Sequence, residues 1–349
     1  MTNPDYHFVH PHFKLNGFHL TEDDLCRIAY SFIKEGEAYE RAVGNFLLDW
    51  FDQRTFIEMQ TSGTTGSPKL ITVDKQAMVH SALATAEFFD LSSDIKVLHC
   101  LPTQFVAGKM MLVRAFILGW DMDLVAPVST PLQNNDTQYH FAAMVPFQAQ
   151  HSLEKLQQIK KLILGGAKVS QSLSKQLEVL PTEVFETYGM TETITHIAAK
   201  KVGEEAFTVL PNVRVSEDER HCLIIDPYVI CDEPIVTNDV VKVLDDTHFI
   251  WLGRYDNVIN SGGVKLFPEQ IEEKLSSKIQ RRFFVKGIPD EELGEKLVLV
   301  IEGDRYDIDP EIFAKLGKFE KPKEVLFVPE FTETGSGKLQ REETLKSLA

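Results

Sequence analysis

From about residue 55 to 190 the chain alternates short apolar runs with longer amphipathic stretches. The runs 55–60 (TFIEMQ), 69–73 (KLITV), 96–101 (KVLHCL), 122–126 (MDLVA) and 161–164 (KLIL) have the length and composition of strands. Between them, 75–89 and 105–119 read as helices. In the second, Val106, Met110, Val113 and Ile117 recur in steps of three and four, which lines one helical face and predicts that it meets the core. Asp74 and Ser170 stand where an N-cap would start a helix. Strands alternating with helices predict an α/β architecture with largely parallel sheets.

After about residue 205 the pattern shifts to shorter β-rich segments, 222–225, 234–243 and 248–252, which read as a smaller, antiparallel region. A second α/β pattern follows from 267 to 349: helix (PEQIEEKLSSKI), strand (RRFFVKG), strand (KLVLVIEG), helix (PEIFAKLGKF), strand (KEVLFVP) and a terminal helix. Gly253-Arg254-Tyr255-Asp256-Asn257 lies at the join. The expected fold class is therefore α/β. A large N-terminal domain of α/β layers with a β-rich subdomain spans 1–255, and a small α+β C-terminal domain spans 256–349.

Composition narrows the function. With 43% hydrophobic and 25% charged residues, the 349-residue chain has the balance of a globular protein, which excludes a disordered or fibrous one. Lys and Arg total 36 against 52 Asp and Glu, a net charge of −16. Such a chain repels phosphate backbones and anionic lipid, so neither nucleic acid nor a membrane surface is the expected partner. An anionic ligand must be held locally against that field. The cysteines Cys26, Cys100, Cys222 and Cys231 show no C-x2-C pairing, as expected of thiols in a reducing compartment. The start, MTNPDYHFVHPHFKL, lacks a basic segment followed by an apolar one. The apolar run Met110 to Trp120 is interrupted by Arg114 and is too short for a bilayer. The expectation is a soluble, cytoplasmic protein.

The strongest chemical signal is Thr61-Ser62-Gly63-Thr64-Thr65-Gly66-Ser67-Pro68-Lys69. Such a loop can turn backbone N–H groups and hydroxyls toward one anion, with Lys69 adding charge. Its spacing is wrong for Walker A. Gly335-Ser336-Gly337-Lys338 is a second candidate, although the same composition makes ordinary linkers. In Tyr188-Gly189-Met190-Thr191-Glu192-Thr193 a glycine turn exposes two hydroxyls and a carboxylate, and a carboxylate with phosphate is a usual way to hold Mg²⁺. Gly165-Gly166-Ala167 would let a flat ligand approach the backbone.

Together these pieces resemble, in order, the adenylate-forming superfamily of acyl- and aryl-CoA synthetases. TSGTTGSPK resembles its phosphate-binding loop, LGGAKV its adenine-contacting turn and TYGMTET its signature after the central strand. Asp239 in TNDVVKV resembles the ribose-binding aspartate, and Gly253-Arg254-Tyr255-Asp256 the arginine and hinge aspartate. SGGVKLFPEQIEE (261–273) and TGSGKLQR (334–341) resemble motifs of its mobile C-terminal domain. The motifs span some four fifths of the chain. LPTQFVAGKMMLVRA, AAMVPFQ, TYGMTETITHIA and CDEPIVTNDV resemble, more narrowly, a compact bacterial form of the 2-succinylbenzoate–CoA ligases of menaquinone biosynthesis. There are departures. The family's phosphate loop usually follows well over a hundred residues of N-terminal domain but starts here at residue 61, Gln104-Phe105 replaces an aromatic-histidine pair, and the hinge pair is Asp256-Asn257.

The resemblance implies an AMP-forming acid–thiol ligase using ATP, Mg²⁺ and CoA. A substrate carboxylate attacks the α-phosphate, and the CoA thiol then attacks the acyl-adenylate. By the same resemblance Thr61, Ser62, Gly63, Thr64, Thr65, Gly66 and Lys69 hold phosphates. Gly165, Gly166, Ala167, Tyr188, Gly189, Met190, Asp239 and Arg254 also bind ATP, the Gly165–Ala167 turn at the adenine and Asp239 with Arg254 at the ribose. Thr191 bonds the α-phosphate, Glu192 the Mg²⁺, and Lys338 bridges carboxylate and phosphate. Asp256 is the hinge, and Ser261, Gly262 and Gly263 line a thiol tunnel. The second carboxylate of 2-succinylbenzoate needs a cation or several donors, for which Lys109, Arg114 and His196 are candidates. Two further readings remain open at this level: a CoA ligase for another aromatic or short-chain acid, and a non-catalytic nucleotide-binding relative. A phosphotransferase reading is opposed by the loop spacing.

Overall fold

The computed structural model describes residues 4–60, 70–231, 233–333 and 339–346. The proposed phosphate-loop residues Thr61 to Gly66 and Lys69, and the proposed catalytic Lys338, lie outside the described residues. The first elements are a two-strand ribbon, β1 (Lys14–Leu15) and β2 (Phe18–His19), and two helices, α1 (Glu22–Glu35) and α2 (Ala38–Trp50). Thr21 and Asp24 form a reciprocal capping box that starts α1. β3 (Phe56–Gln60) and β4 (Leu70–Asp74) then pair antiparallel with each other alone. This corrects the expectation that both belong to the parallel sheet: strands close in sequence can pair antiparallel, whereas parallel pairing needs a crossover of a dozen or more residues.

The parallel core follows: α3 (Lys75–Phe88), β5 (Lys96–His99), α4 (Val106–Leu118), β6 (Asp121–Leu124), β7 (Tyr139–Met144), α5 (Pro146–His151), β8 (Ile159–Leu164), α6 (Gln171–Leu177) and β9 (Glu183–Gly189). Asp74 and Ser170 do cap α3 and α6, accepting from Ala77 N and Leu173 N. The β-rich region adds β10 (His196–Lys201), β11 (Ala206–Val209), β12 (Arg214–Glu217), β13 (Cys222–Asp226), β14 (Ile235–Asp245) and β15 (His248–Arg254). All of these strands except β3 and β4 form one sheet of thirteen, in the order β12-β13-β14-β15-β11-β10-β9-β8-β7-β5-β6-β1-β2. It is parallel from β9 to β1 and antiparallel from β9 outward.

Strand alternation divides the core. Val97, Phe141 and Ile163 point to one face, with the helices α1 to α4, while Leu98, Ala142, Leu162 and Leu164 point to the other. A sheet buried on both faces is what parallel pairing requires. Met110, Val113 and Ile117 are buried as expected, but α4 is apolar on nearly every side, so Arg114 is buried as well.

A separate sheet begins after Arg254. It contains β16 (Ile259–Ser261), β17 (Val264–Leu266), β18 (Phe283–Asp290), β19 (Gly294–Glu302) and β20 (Glu324–Val328), flanked by α7 (Pro268–Ser276) and α8 (Arg341–Lys346). Its own apolar clusters sit on its two faces. The expected helix PEIFAKLGKF is only a 3-10 turn over Pro310–Phe313; Gly317 within the run disfavours continuation.

Candidate active site

The carboxyl ends of β7, β8 and β9 lie side by side, the edge where open α/β sheets place ligands. Gly165 and Gly166 turn the chain away after β8. A Cβ on Gly165 would stand 2.8 Å from Thr187 Oγ1, which itself donates to Leu164 O at 2.9 Å. Gly166 adopts φ +81°, which favours glycine. A cleft of about 930 Å³ opens here, lined by Gly166, Ala167, Tyr188, Gly189, Asp239 and Trp251, with Gln270 and Glu273 of α7 on the far wall. The cleft thus gathers the proposed adenine turn, the start of the TYGMTET motif and the proposed ribose aspartate.

Asp239 is the best-built group in it. The antiparallel register pairs Asp239 with Arg254 across β14 and β15. Its carboxylate accepts from Tyr188 Oη at 2.6 Å and from Trp251 Nε1 at 3.1 Å, and Arg254 Nη1 lies 3.7 Å away. Burial, reinforced by this carboxylate, pushes the Tyr188 hydroxyl far above its ordinary range, so it remains a donor. Arg254 also reaches toward Asp256, Nη2 to Oδ2 3.5 Å, where Asn238 Nδ2 donates to the same oxygen. The site and the proposed hinge therefore share one guanidinium.

The TYGMTET turn is tightly specified. Gly189 pairs against the start of β10, and a Cβ there would meet Thr195 O at 2.2 Å and His196 Cα at 2.5 Å. Thr193, fully buried, accepts from Met190 N at 3.0 Å and lies 2.7 Å from Thr195 O. Ile194 is held at φ +68°, with Thr195 N donating to Thr193 O across it at 2.7 Å. That is a strained turn for a β-branched residue, of the kind that concentrates at functional sites. Thr191 is half-buried and Glu192 exposed. Among the described residues no group of three or more His, Cys, Asp or Glu is arranged to hold a metal ion by itself. A single exposed carboxylate suits Mg²⁺ that keeps most of its ligands as phosphate oxygen and water.

The three proposed pocket cations separate. Lys109 Nζ donates to Thr103 O and Gln104 O, both at 3.0 Å, and so ties down the loop before α4. Arg114 and His196 come together, Nη2 to Nδ1 3.5 Å, beneath Thr195. Burial, and then the neighbouring Arg114, hold the His196 imidazole well below its usual range, so it is neutral. Ser261, Gly262 and Gly263 form the tip of the β16–β17 hairpin and are not among the residues lining the cleft. Their glycines adopt φ +57° and +81°, as a two-residue hairpin turn demands. Three residues were not evident from the sequence: Trp251, which orients Asp239, and Thr85 and Thr195, which touch Arg114. The only signal for Trp251 was its place on an apolar strand.

A model of the AMP-binding enzyme family matches residues 53–245, more than half of the chain, and the chain belongs to that family. It is similar to a solved structure of an acyl-CoA synthetase (AMP-forming)/AMP-acid ligase II-like protein from Dyadobacter fermentans. That protein is 33% identical, with a TM-score of 0.62, and the match covers 93% of this chain and 98% of the other. It is also 26% identical to a 2-succinylbenzoate–CoA ligase of Oceanobacillus iheyensis, over 84% of this chain and 69% of that one. O-succinylbenzoate coenzyme A synthetase from Bacillus subtilis, solved with ATP and magnesium, shares the fold. Its TM-score is 0.71 at 21% identity, covering 82% of this chain and 69% of the other. Within the family the chain is an AMP-forming acid–thiol ligase, the class that uses ATP, Mg²⁺ and CoA. Among the described residues no helix is long and apolar enough to cross a membrane.

Proposed function

We propose that the protein is an ATP-dependent 2-succinylbenzoate–CoA ligase acting in menaquinone biosynthesis in the cytoplasm. The observation that carries the nucleotide half of this reading is the Asp239 carboxylate. It is buried at the cleft, oriented by Tyr188 and Trp251, and faced by Arg254. An acceptor so fixed suits a pair of ribose hydroxyls, with the Gly165–Ala167 turn providing a flat backbone surface beside it. The acid half is supported by the likeness to named 2-succinylbenzoate–CoA ligases.

Adenylation builds charge on phosphate oxygens, so the chain's task is positioning and electrostatic stabilisation. In this reading Thr191 donates to the α-phosphate and Glu192 is the carboxylate that holds Mg²⁺, which neutralises phosphate charge. Lys338, with a compact charge on a long stem, bridges carboxylate and phosphate. The segment 61–69 holds the outer phosphates. We divide the chain into a large unit, 1–255, and a small unit, 256–349, that pivots at Asp256 between half-reactions. The pivot carries Ser261, Gly262 and Gly263 toward the pantetheine arm.

The test is incubation with ATP, Mg²⁺, CoA and 2-succinylbenzoate, with products identified by mass. AMP, pyrophosphate and the succinylbenzoyl thioester are expected. Thioester formed only from other acids would remove the substrate assignment. ADP, or no nucleotide turnover with any acid, would remove the ligase itself.

A further inference from the structure

A second hollow, of about 360 Å³, adjoins the nucleotide cleft, and Lys242 and Leu252 line both. That volume is within the range of small-molecule sites. Both units contribute to it: the β12–β13 turn, β14 and β15 from the large one, and the join itself, β17 and the approach to α7 from the small one. The lining is mainly apolar. It includes Val240, Leu252, Val258 and Phe267, together with Tyr255, which is 40% exposed.

The charges around this hollow run against those of the whole chain, whose net charge is −16. Arg220, Lys242 and Lys265 line it against a single acid, Glu217, and that carboxylate lies 2.9 Å from His221 Nδ1. Arg220 is engaged by Asp218, Nη2 to Oδ2 2.8 Å, and its guanidinium lies 5.1 Å from the centre of the Tyr255 ring. Lys242 and Lys265 are exposed, and neither has a hydrogen bond or ion pair among the described residues. Two unanswered ammonium groups beside an apolar lining are the complement of an anion with an apolar body. The small unit's share of the lining is also held in place. Asn257 Nδ2 donates to Glu269 Oε1 at 2.5 Å, and a Cβ on Gly253 would stand 2.5 Å from Glu269 Oε2. The first turn of α7 is thus pressed against the join, and Phe267, directly before it, is placed with it.

We propose that this hollow binds a flat organic anion, an aromatic ring system carrying one acidic group, and that the occupant holds the two units in the arrangement seen here and so inhibits thioester formation. This rests on the two-step ligase reading and goes beyond it. The ring system packs on Tyr255 and Phe267, and the acidic group meets Lys242 and Lys265. An inorganic anion would leave the apolar lining unused. In the present arrangement the Ser261–Gly263 hairpin tip is not part of the nucleotide cleft. The proposed second half-reaction needs it there, so an occupant that fits only between the present walls opposes that step and spares adenylation.

The probe is naphthalene-1-sulfonate, with naphthalene-1-sulfonamide as its uncharged counterpart. Calorimetric binding is measured on the full chain as wild type, Lys265→Met and Lys265→Glu, and melting temperatures report folding. The wild type is expected to bind the sulfonate ~10-fold more tightly than the sulfonamide. Lys265→Met should weaken the sulfonate about threefold and Lys265→Glu about tenfold, with the sulfonamide changed less than about twofold in either. At about ten times its Kd the sulfonate should lower thioester formation up to ~10-fold, by mass action on the arrangement it binds. Acid-dependent ATP–pyrophosphate exchange should change less than about twofold under the same conditions, and Lys265→Glu should escape the inhibition. The proposal is overturned if the variants bind the sulfonate as the wild type does, which puts the probe elsewhere, or if binding leaves thioester formation intact. Equal loss of both half-reactions also overturns it, since that marks a competitor in the catalytic cleft. Exchange absent from the probe-free wild type removes the ligase reading and the inhibition with it, while the Lys265 dependence of binding, which needs no turnover, still decides the site.

Discussion

Replacing Gly189 by alanine tests whether the TYGMTET turn works by position. The added Cβ would stand 2.2 Å from Thr195 O, 2.5 Å from His196 Cα and 2.7 Å from Thr195 C. All three are backbone atoms, so no side chain can swing aside. An ordinary carbon–oxygen contact is about 3.3 Å, and the turn must therefore move by roughly 1 Å against the start of β10. Crowding of this kind costs ~1–3 kcal/mol of stability. The kinetic effect should be larger in proportion. A shift of about 1 Å in groups that position a reacting centre can cost ~10²-fold, and both Thr191–Glu192 and Thr195–His196 would move. The assay is acid-dependent ATP–pyrophosphate exchange, with melting temperature alongside. Gly17→Ala is the control: Gly17 has φ +82° but nothing within 4 Å of its Cβ, so it carries the conformational cost alone, far from the cleft. The expected result is kcat/KM down about 10²-fold in Gly189→Ala and unchanged in Gly17→Ala. An exchange rate in Gly189→Ala within threefold of wild type, or one lowered no further than in the control, would refute the positional argument.

Asp239→Asn keeps the shape and removes the charge that Tyr188, Trp251 and Arg254 converge on. It should raise the KM for ATP ~10-fold or more and leave that for the acid nearly unchanged; equal changes in both would count against a nucleotide role. Glu272 gives a pH dependence. Burial pushes its carboxyl up to about 7 from 4.5, against the pull of Arg341, Nη2 to Oε2 3.0 Å. The native chain thus binds the extra proton, and the group's stabilising contribution is fully present below about 4.5 and lost as pH rises through 7. Melting temperatures between pH 4.5 and 8 should fall less steeply in Glu272→Gln than in wild type; parallel profiles would show that the carboxyl titrates normally.

The elements that were legible in the sequence were those with a local cause. The N-caps at Asp74 and Ser170, the parallel strands from 96 to 164 and the antiparallel segments after 205 all follow from side-chain types within a few residues. The pairing of β3 with β4 was not legible, because a strand's partner is a long-range choice that its own alternation does not encode. The site divides in the same way. Asp239, Tyr188 and Gly166-Ala167 could be named from motifs and do meet at one cleft. Lys109 and Arg114 were both candidates for the acid pocket, yet one ties down a loop with its ammonium and the other is sealed in the core. That difference depends on what packs against α4 from α3 and β10, information held some 30 to 80 residues away.

The cleft owes its chemistry to the meeting of three substructures. The parallel sheet supplies glycine turns at its carboxyl edge, where strands end and backbone groups lack ladder partners. The antiparallel region supplies Asp239 and Trp251 at positions fixed by β14–β15 register, so that a two-residue slip would carry the carboxylate about 7 Å along the strand. The C-terminal unit supplies the far wall through α7. There Glu273 pairs at 2.7 Å with Lys168, whose ammonium also lies 5.6 Å from the centre of the Trp251 ring. Lys168 directly follows the Gly165–Ala167 turn, so one side chain touches all three substructures. Arg254 repeats this at the other end, lying between Asp239 in the cleft and Asp256 at the join. Each pair has at least one half-exposed partner, and ion pairs open to water in this way contribute under about 1 kcal/mol each, too little to lock the units together. Weak links between the two units, placed on the groups proposed to face the nucleotide, are what the proposed two-step ligase needs if its half-reactions are to use one cleft in two arrangements.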